Sequence, residues 1–191
     1  VFLAGDLVYK IRKPVRLPFL DFSTLDQRRQ DCEDEIRLNR RLAPDVYLGM
    51  VPVTSDGTQV MFEGQGEVIE WAVKMRRLPE AATLEQRLFR DEISVDQILA
   101  LAQRLAQFHA AAAGNAHIAS FGRFETVARN IRENFEVAAP LIGVTISHLV
   151  YDRLTTLTEQ ALEELRPLIT QRAAQGVPRD THGDLHLDHV Y

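Results

Sequence analysis

Apolar and polar positions change their spacing partway along this chain, and the change separates two kinds of predicted structure. At the start the spacing is short. Val1 to Leu3 and Leu7 to Arg12 are β-rich runs on either side of Ala4-Gly5-Asp6, whose Gly and Asp suit a tight hairpin turn. From Leu25 to Leu42 the recurrence of Cys32, Glu35, Ile36, Asn39 and Leu42 fits a helix, with Thr24 or Asp26 able to cap its start. Three apolar runs follow, Tyr47 to Thr54, Val60 to Glu63 and Val68 to Met75, separated by Ser55-Asp56-Gly57 and Gly64-Gln65-Gly66, which are turn chemistry. They complete a small antiparallel sheet.

From Pro79 onward the spacing is helical. Ile98, Leu99, Ala102, Leu105, Ala106 and His109 share one face of a predicted helix from Val95 to Ala113, stopped by Gly114 and Asn115. A second helical block spans Thr126 to Ala138. A third runs from Ser147 to Ala174 on Leu149, Leu154, Leu157, Leu162, Leu165 and Ile169, with Pro167 as a kink site. Gly176 and Pro178 end it, and a short approach strand is expected to deliver Asp180 to His182. The pattern predicts an α+β chain with a sheet-rich part followed by a mainly helical part.

Composition narrows the class. The 191 residues carry a net charge of −5 with no broad Lys and Arg cluster, which argues against a nucleic-acid partner. No apolar run reaches membrane-spanning length and the start is not signal-like, so a cytoplasmic protein without membrane contact is expected. A single cysteine, Cys32, excludes an internal disulfide and reads as a small core residue on the first helix.

The chemistry concentrates at His182 to Val190, HGDLHLDHV. In the protein kinase pattern H-R-D-L-x-x-x-x-N, the Asp accepts the proton of the substrate hydroxyl and the Asn holds a magnesium ion. Asp184 occupies the first of these places. Aminoglycoside and choline phosphotransferases carry H-G-D-L-H-x-x-N, and His182, Gly183, Asp184, Leu185 and His186 match that version residue for residue. The match breaks at His189, where an imidazole stands in place of the Asn amide, although magnesium prefers oxygen ligands. Three readings of His189 stand side by side: a carboxylate beyond residue 191 carries the metal, His189 acts through a water, or activity is weakened. A rival for the whole segment is a zinc site, since His182, His186 and His189 lie with Asp184 and Asp188.

A kinase-like site also needs a Lys on a strand paired with a Glu on the following helix. Lys10 ends Leu7-Val8-Tyr9-Lys10, in the place of the kinase V-A-I-K strand, and is preferred to Lys13; strand alternation puts the two on opposite faces unless Pro14 distorts the strand end. Glu35 is preferred to Glu33, because Glu35 to Pro44 resembles the kinase αC helix and its exit loop. The charges around it, Arg28, Arg29, Glu33, Asp34, Arg37, Arg40 and Arg41, read as a solvated face. The run into Lys74-Met75-Arg76-Arg77-Leu78-Pro79 resembles the hinge whose backbone groups bind adenine, giving Val73 to Leu78, with Val73, Lys74, Met75 and Arg76 foremost, as nucleotide-base candidates. Gly64 and Gly66 read as a turn, since the expected Gly-rich loop belongs before the lysine strand. Leu105 to His109 resembles a helix that underlies the active site in this superfamily, with His109 a hydrogen-bonded core residue.

Over its length the chain resembles uncharacterised bacterial aminoglycoside-phosphotransferase-like proteins, some joined to a carboxy-terminal P-loop ATPase domain; Lys10 to Arg29 and Glu35 to Gly49 carry this likeness. The resemblance implies a protein-kinase-like two-lobe fold truncated at both ends, with a nucleotide-binding lobe at 1–78 lacking its Gly-rich loop and a helical lobe at 79–191 ending at the catalytic loop. It implies an ATP-dependent phosphotransferase, using Mg2+ and acting on a small-molecule hydroxyl. In that scheme Asp184 is the catalytic base, His182 braces the loop, His186 contacts phosphate or substrate, Lys10 contacts the phosphates, Glu35 holds Lys10 and His189 is a metal contact. The alternative is a catalytically inert module that binds nucleotide or a partner.

Overall fold

A computed structural model describes residues 1–17 and 20–191. Pro18 and Phe19, part of the stretch that carries the family likeness, lie outside the described residues. The fold is α+β. Its main sheet has five antiparallel strands in the order β1-β2-β7-β5-β6, formed by β1 (Phe2–Ala4), β2 (Leu7–Ile11), β5 (Tyr47–Ser55), β6 (Val60–Phe62) and β7 (Glu67–Arg76). The predicted hairpin joins β1 to β2 through Gly5, whose φ of +58° only glycine adopts without strain. A small ribbon of β3 (Arg16–Leu17) and β4 (Leu20–Asp21) lies apart from this sheet.

Helix α1 (Leu25–Asn39) follows, and Thr24 is its cap: the hydroxyl accepts the Gln27 amide and the Gln27 side chain reaches back to the Thr24 amide. The helix stops three residues before the expected Leu42, where the amides of Leu42 and Ala43 both turn back to the Asn39 carbonyl. Ala72 and Val73 are neighbours on β7, each 0% exposed, and strand alternation sends them to opposite faces. Ala72 packs with Tyr9 and Val53, flanked by Leu7, Ile11, Val51 and Phe62. On the other face Val73 packs with Cys32 and Ile36 of α1, flanked by Tyr47, Met50, Trp71 and Met75. Both faces of the central strand are therefore core around Trp71 to Val73.

The solvated face expected on α1 needs one correction. Arg28 is buried: its Nε donates to Glu70 Oε2 of β7 at 2.7 Å, and its Nη1 donates to the Phe22 and Ser23 carbonyls. Glu70 attracts it because a helix laid on a strand brings a charge from each within reach, and periodicity along one element does not register a partner 42 residues away.

The remaining helices are α2 (Leu84–Phe89), α3 (Val95–Ala111), α4 (Ala116–Phe121), α5 (Phe124–Ala138) and α6 (His148–Ala174). The chain divides into two compact units, residues 1–98 with 182–191, and residues 99–181. In the second unit α5 and α6 pack through Phe124, Ala128 and Leu162, with the Arg166 guanidinium 3.7 Å from the Phe124 ring centroid. Pro167 sits inside α6 without ending it. No strand forms at Asp180 to His182, because that segment finds no neighbouring strand; the Asp180 amide bonds to the Ala113 carbonyl at 2.9 Å and the chain stays irregular. His109 is exposed on α3 rather than set in a core, and nothing in α3 is buried. No helix among the described residues is long and apolar enough to cross a membrane.

Candidate functional site

Strand β2 and helix α1 bring Lys10 and Glu35 together. Lys10 Nζ lies 3.0 Å from Glu35 Oε1, with the Glu35 side chain 10% exposed. Lys13 is past the end of β2 and exposed. Glu33 points elsewhere, pairing with Arg29 at 3.2 Å. The second oxygen of Glu35 is held by Arg12, which also grips Asp31 one helical turn earlier. Burial alone would lower the Arg12 pKa, but its bonds to Glu35 and then Asp31 outweigh that and raise it above the ordinary value. Asn39 adds a bond from its side-chain amide to the Glu35 carbonyl at 2.8 Å. Arg12 and Asp31 were not picked out from the sequence. The signal was available: Arg12 is two residues from Lys10, hence on the same strand face, and Asp31 is four from Glu35, hence on the same helix face.

Cys32 is 0% exposed between these charges, and its sulfur faces the Trp71 carbonyl. Burial, partly offset by Arg12, pushes its thiol pKa up to about 11.

The base candidates Val73, Lys74, Met75 and Arg76 all belong to β7, and this alters their role. Lys10 is paired with Val73, Tyr9 with Lys74, Val8 with Met75 and Leu7 with Arg76 on one side, while β5 pairs with Val73, Lys74 and Met75 on the other. Ladders on both sides occupy the backbone groups of Val73, Lys74 and Met75, so these are not exposed for a base. The Arg76 amide bonds to the Val46 carbonyl and the Arg77 amide to the Asp6 carbonyl, each at 2.8 Å. Leu78 is the first residue past these bonds. The Lys74 side chain points to the face away from α1, where its Nζ meets Glu63 Oε1 at 2.6 Å and the Tyr9 hydroxyl donates to the same oxygen at 3.0 Å. Glu63 has φ of +57°, and the Lys74 bond followed by the Tyr9 bond holds its carboxyl below the usual range. Gly64 and Gly66 are the turn they were read as: a Cβ on Gly66 would run into the Ser55 carbonyl.

The segment His182 to Val190 forms an exposed loop ending in a short 3-10 turn at Leu187–His189. The Val190 carbonyl accepts the Leu84 amide at 2.7 Å, so the loop is anchored to the start of α2. Gly183, at φ +76°, makes the reversal that projects Asp184 outward, and the Asp184 side chain is 82% exposed. His182 Nδ1 accepts the Asp184 amide at 3.3 Å, which puts the ring proton on Nε2. The other two rings are arranged the opposite way. His186 Nδ1 is against Asp188 Oδ1, and His189 Nδ1 is 3.0 Å from the Asp184 carbonyl, contacts that a proton on Nδ1 of each ring satisfies, with Nε2 turned away from these partners. The rings of His186 and His189 lie 3.8 Å apart, centroid to centroid. Asp184, His186 and His189 each place a ligand atom within 4.8 Å of the others.

No family model matches this chain, and no solved structure matches it. It is 30% identical over all 191 of its residues to uncharacterised proteins of Mycobacterium bovis and of two Mycobacterium tuberculosis strains. The chain spans 37% of the length of these curated relatives.

Proposed function

We propose that this chain carries the nucleotide-binding and catalytic-loop parts of a two-lobe, kinase-like phosphotransferase that moves the γ-phosphoryl group of ATP to a hydroxyl of a small molecule. The observation that supports it best is the Lys10–Glu35 pair at 3.0 Å, on a strand and the helix after it, in the same compact unit as an outward-facing Asp184. Lys10 is 39% exposed, which leaves its ammonium able to meet phosphate oxygens while Glu35 fixes its direction. Asp184 takes the proton of the acceptor hydroxyl as its oxygen bonds to phosphorus and the bond to the ADP oxygen breaks. His182 sets the backbone at Asp184. Base recognition falls to backbone groups near Leu78 rather than to Val73–Arg76. Mg2+, the cation that the resemblance implies, is a poor fit to the loop, which offers one carboxylate and two imidazoles where a hard cation selects oxygens.

The second reading, an inert nucleotide-binding module, is favoured by His189, an imidazole where the related loop carries the Asn that holds magnesium. The experiment that separates them measures ATP turnover and phosphate transfer by the full-length protein to a panel of sugars, amino alcohols and aminoglycosides. Transfer lost in Asp184→Asn supports the phosphotransferase. Nucleotide binding without turnover in either protein rejects it and supports the inert module. The greater length of the relatives leaves room for a further domain, and a fused P-loop ATPase is the partner proposed; proteolysis of the full-length protein that releases a separate ATP-binding fragment is the expected result.

A further inference from the structure

The mismatch with Mg2+ points to a different cation. We propose that Asp184, His186 and His189 form a three-ligand site for a borderline first-row divalent cation of the Zn2+ class, with a fourth position open to water or a phosphate oxygen. This deepens the phosphotransferase reading and rests on it for the role of the cation, with Asp184 Oδ2 toward the cation and its other oxygen left for the acceptor proton, whereas binding itself rests on these three side chains.

The ligand set is the first argument. A carboxylate with two imidazoles suits Zn2+, Mn2+, Co2+ or Fe2+ and is a weak match for Mg2+. Replacing the Asn of the related loop by His189 moves the set in that direction. The second argument is how the rings are held. A metal-binding imidazole characteristically donates its remote N–H to a carboxylate or carbonyl, which fixes the ring and leaves the other nitrogen's lone pair for the ion. His186 has Asp188 in that role and His189 has the Asp184 carbonyl. His182 lacks it, because its Nδ1 accepts the Asp184 amide, and it is not among the three converging residues.

Distance is the third argument. Asp184 Oδ2 is 3.9 Å from His186 Nε2. Ligands of a tetrahedral zinc at ordinary bond lengths stand about 3.3 Å apart. Closing that gap falls to the Asp184 side chain, which is 82% exposed. The His186 and His189 rings, 3.8 Å apart and tilted by 40°, stand beside a carboxylate and gain from an ion shared among them.

The test is direct binding to the metal-free full-length protein, with Co2+ absorption reporting geometry and Zn2+ measured by competition with a chromophoric chelator. One cation per chain is expected, with Zn2+ preferred to Mg2+ by at least ~100-fold. His186→Ala and His189→Ala should each weaken Zn2+ by on the order of 100-fold, and Asp188→Asn by roughly 10- to 100-fold through loss of ring orientation. Circular dichroism and Tm should not change, because all these side chains are exposed. Zn2+ uptake unaltered in a His186→Ala/His189→Ala double variant, or Mg2+ bound as tightly as Zn2+, overturns the proposal. The two readings fail separately. Transfer supported by Mg2+ without Zn2+ uptake removes the metal site and keeps the phosphotransferase, whereas histidine-dependent Zn2+ uptake without any transfer keeps the site and removes the phosphotransferase.

Discussion

The two halves of the candidate site belong to one compact unit and are held in opposite ways. Glu35 is 10% exposed and gripped from two sides, by Lys10 and by Arg12, on elements that bury Cys32 and Val73 completely. Asp184 is 82% exposed, and the loop around it is set by contacts made within a few residues, His182 to the Asp184 amide, His189 to the Asp184 carbonyl and His186 to Asp188, while the Val190 carbonyl anchors its end to Leu84. Contacts between distant parts of the chain make the first half part of the folding core. Local contacts make the second half adjustable without cost to the fold. Chemistry and stability should therefore separate when the two halves are mutated.

The largest effect expected is on chemistry alone. Asp184→Asn should lower phosphate transfer by about a thousandfold, as loss of a general base does, while Tm stays within about a degree. A Tm drop of several degrees would show that the loop is structural after all.

Glu35→Ala should do the reverse and destabilise by about 2 kcal/mol in denaturant unfolding, since it leaves the largely buried Arg12 with Asp31 as its remaining partner. Lys10→Ala, removing a 39% exposed ammonium and leaving Arg12 on Glu35, should cost under about 1 kcal/mol but weaken nucleotide binding. Equal stability losses in the two variants would break the contrast.

Cys32 sharpens it by reactivity. With the thiol pKa raised from 9.0 to about 11, ionisation alone should make native Cys32 about 100-fold slower to alkylate at neutral pH than the unfolded chain, and burial should slow it further. Rapid labelling of the folded protein would mean that α1 lifts off the sheet.

The smallest effect concerns Glu63. Its folded pKa is depressed by Lys74 and Tyr9, so its contribution is full above the ordinary carboxylate value and is lost as pH falls through the lower folded value. Because the side chain is 41% exposed, a few tenths of a kcal/mol are expected, read as a slightly flatter acid limb in Glu63→Gln unfolding curves.

Long periodic elements were legible in the sequence. Strands β1, β2, β5, β6 and β7, helices α3, α5 and α6 and the start of α1 all lie close to where spacing and capping residues put them, and strand and helix periodicity together brought Lys10 toward Glu35. What escaped is contact across elements. Arg28 looked like a member of a charged surface, and Arg12 and Asp31 passed unremarked, because charge reads as exposure unless the opposing charge, tens of residues away, is known. The pairing of Val73 to Met75 escaped for a related reason: a strand can be read from its own residues, but not that it has a neighbour on each side, and it is the neighbours that use up its backbone. The short helices α2 and α4 have only six residues each, too few for periodicity, although Thr83 and Asn115 are readable caps. In the loop, spacing could gather the histidines. It could not tell that His182 is oriented oppositely to the other two, which depends on a single amide.

The double grip on Glu35 makes α1 a poor lever. Asp31 and Glu35 tie it to Arg12 and Lys10, Arg28 ties it to Glu70, and Cys32 and Ile36 seal it against Val73. Swinging such a helix outward to switch a site off would break every one of these at once. Control by helix rotation is therefore expensive in this molecule, and any on-off signal is better delivered through the exposed loop, whose side chains can rearrange without breaking these contacts.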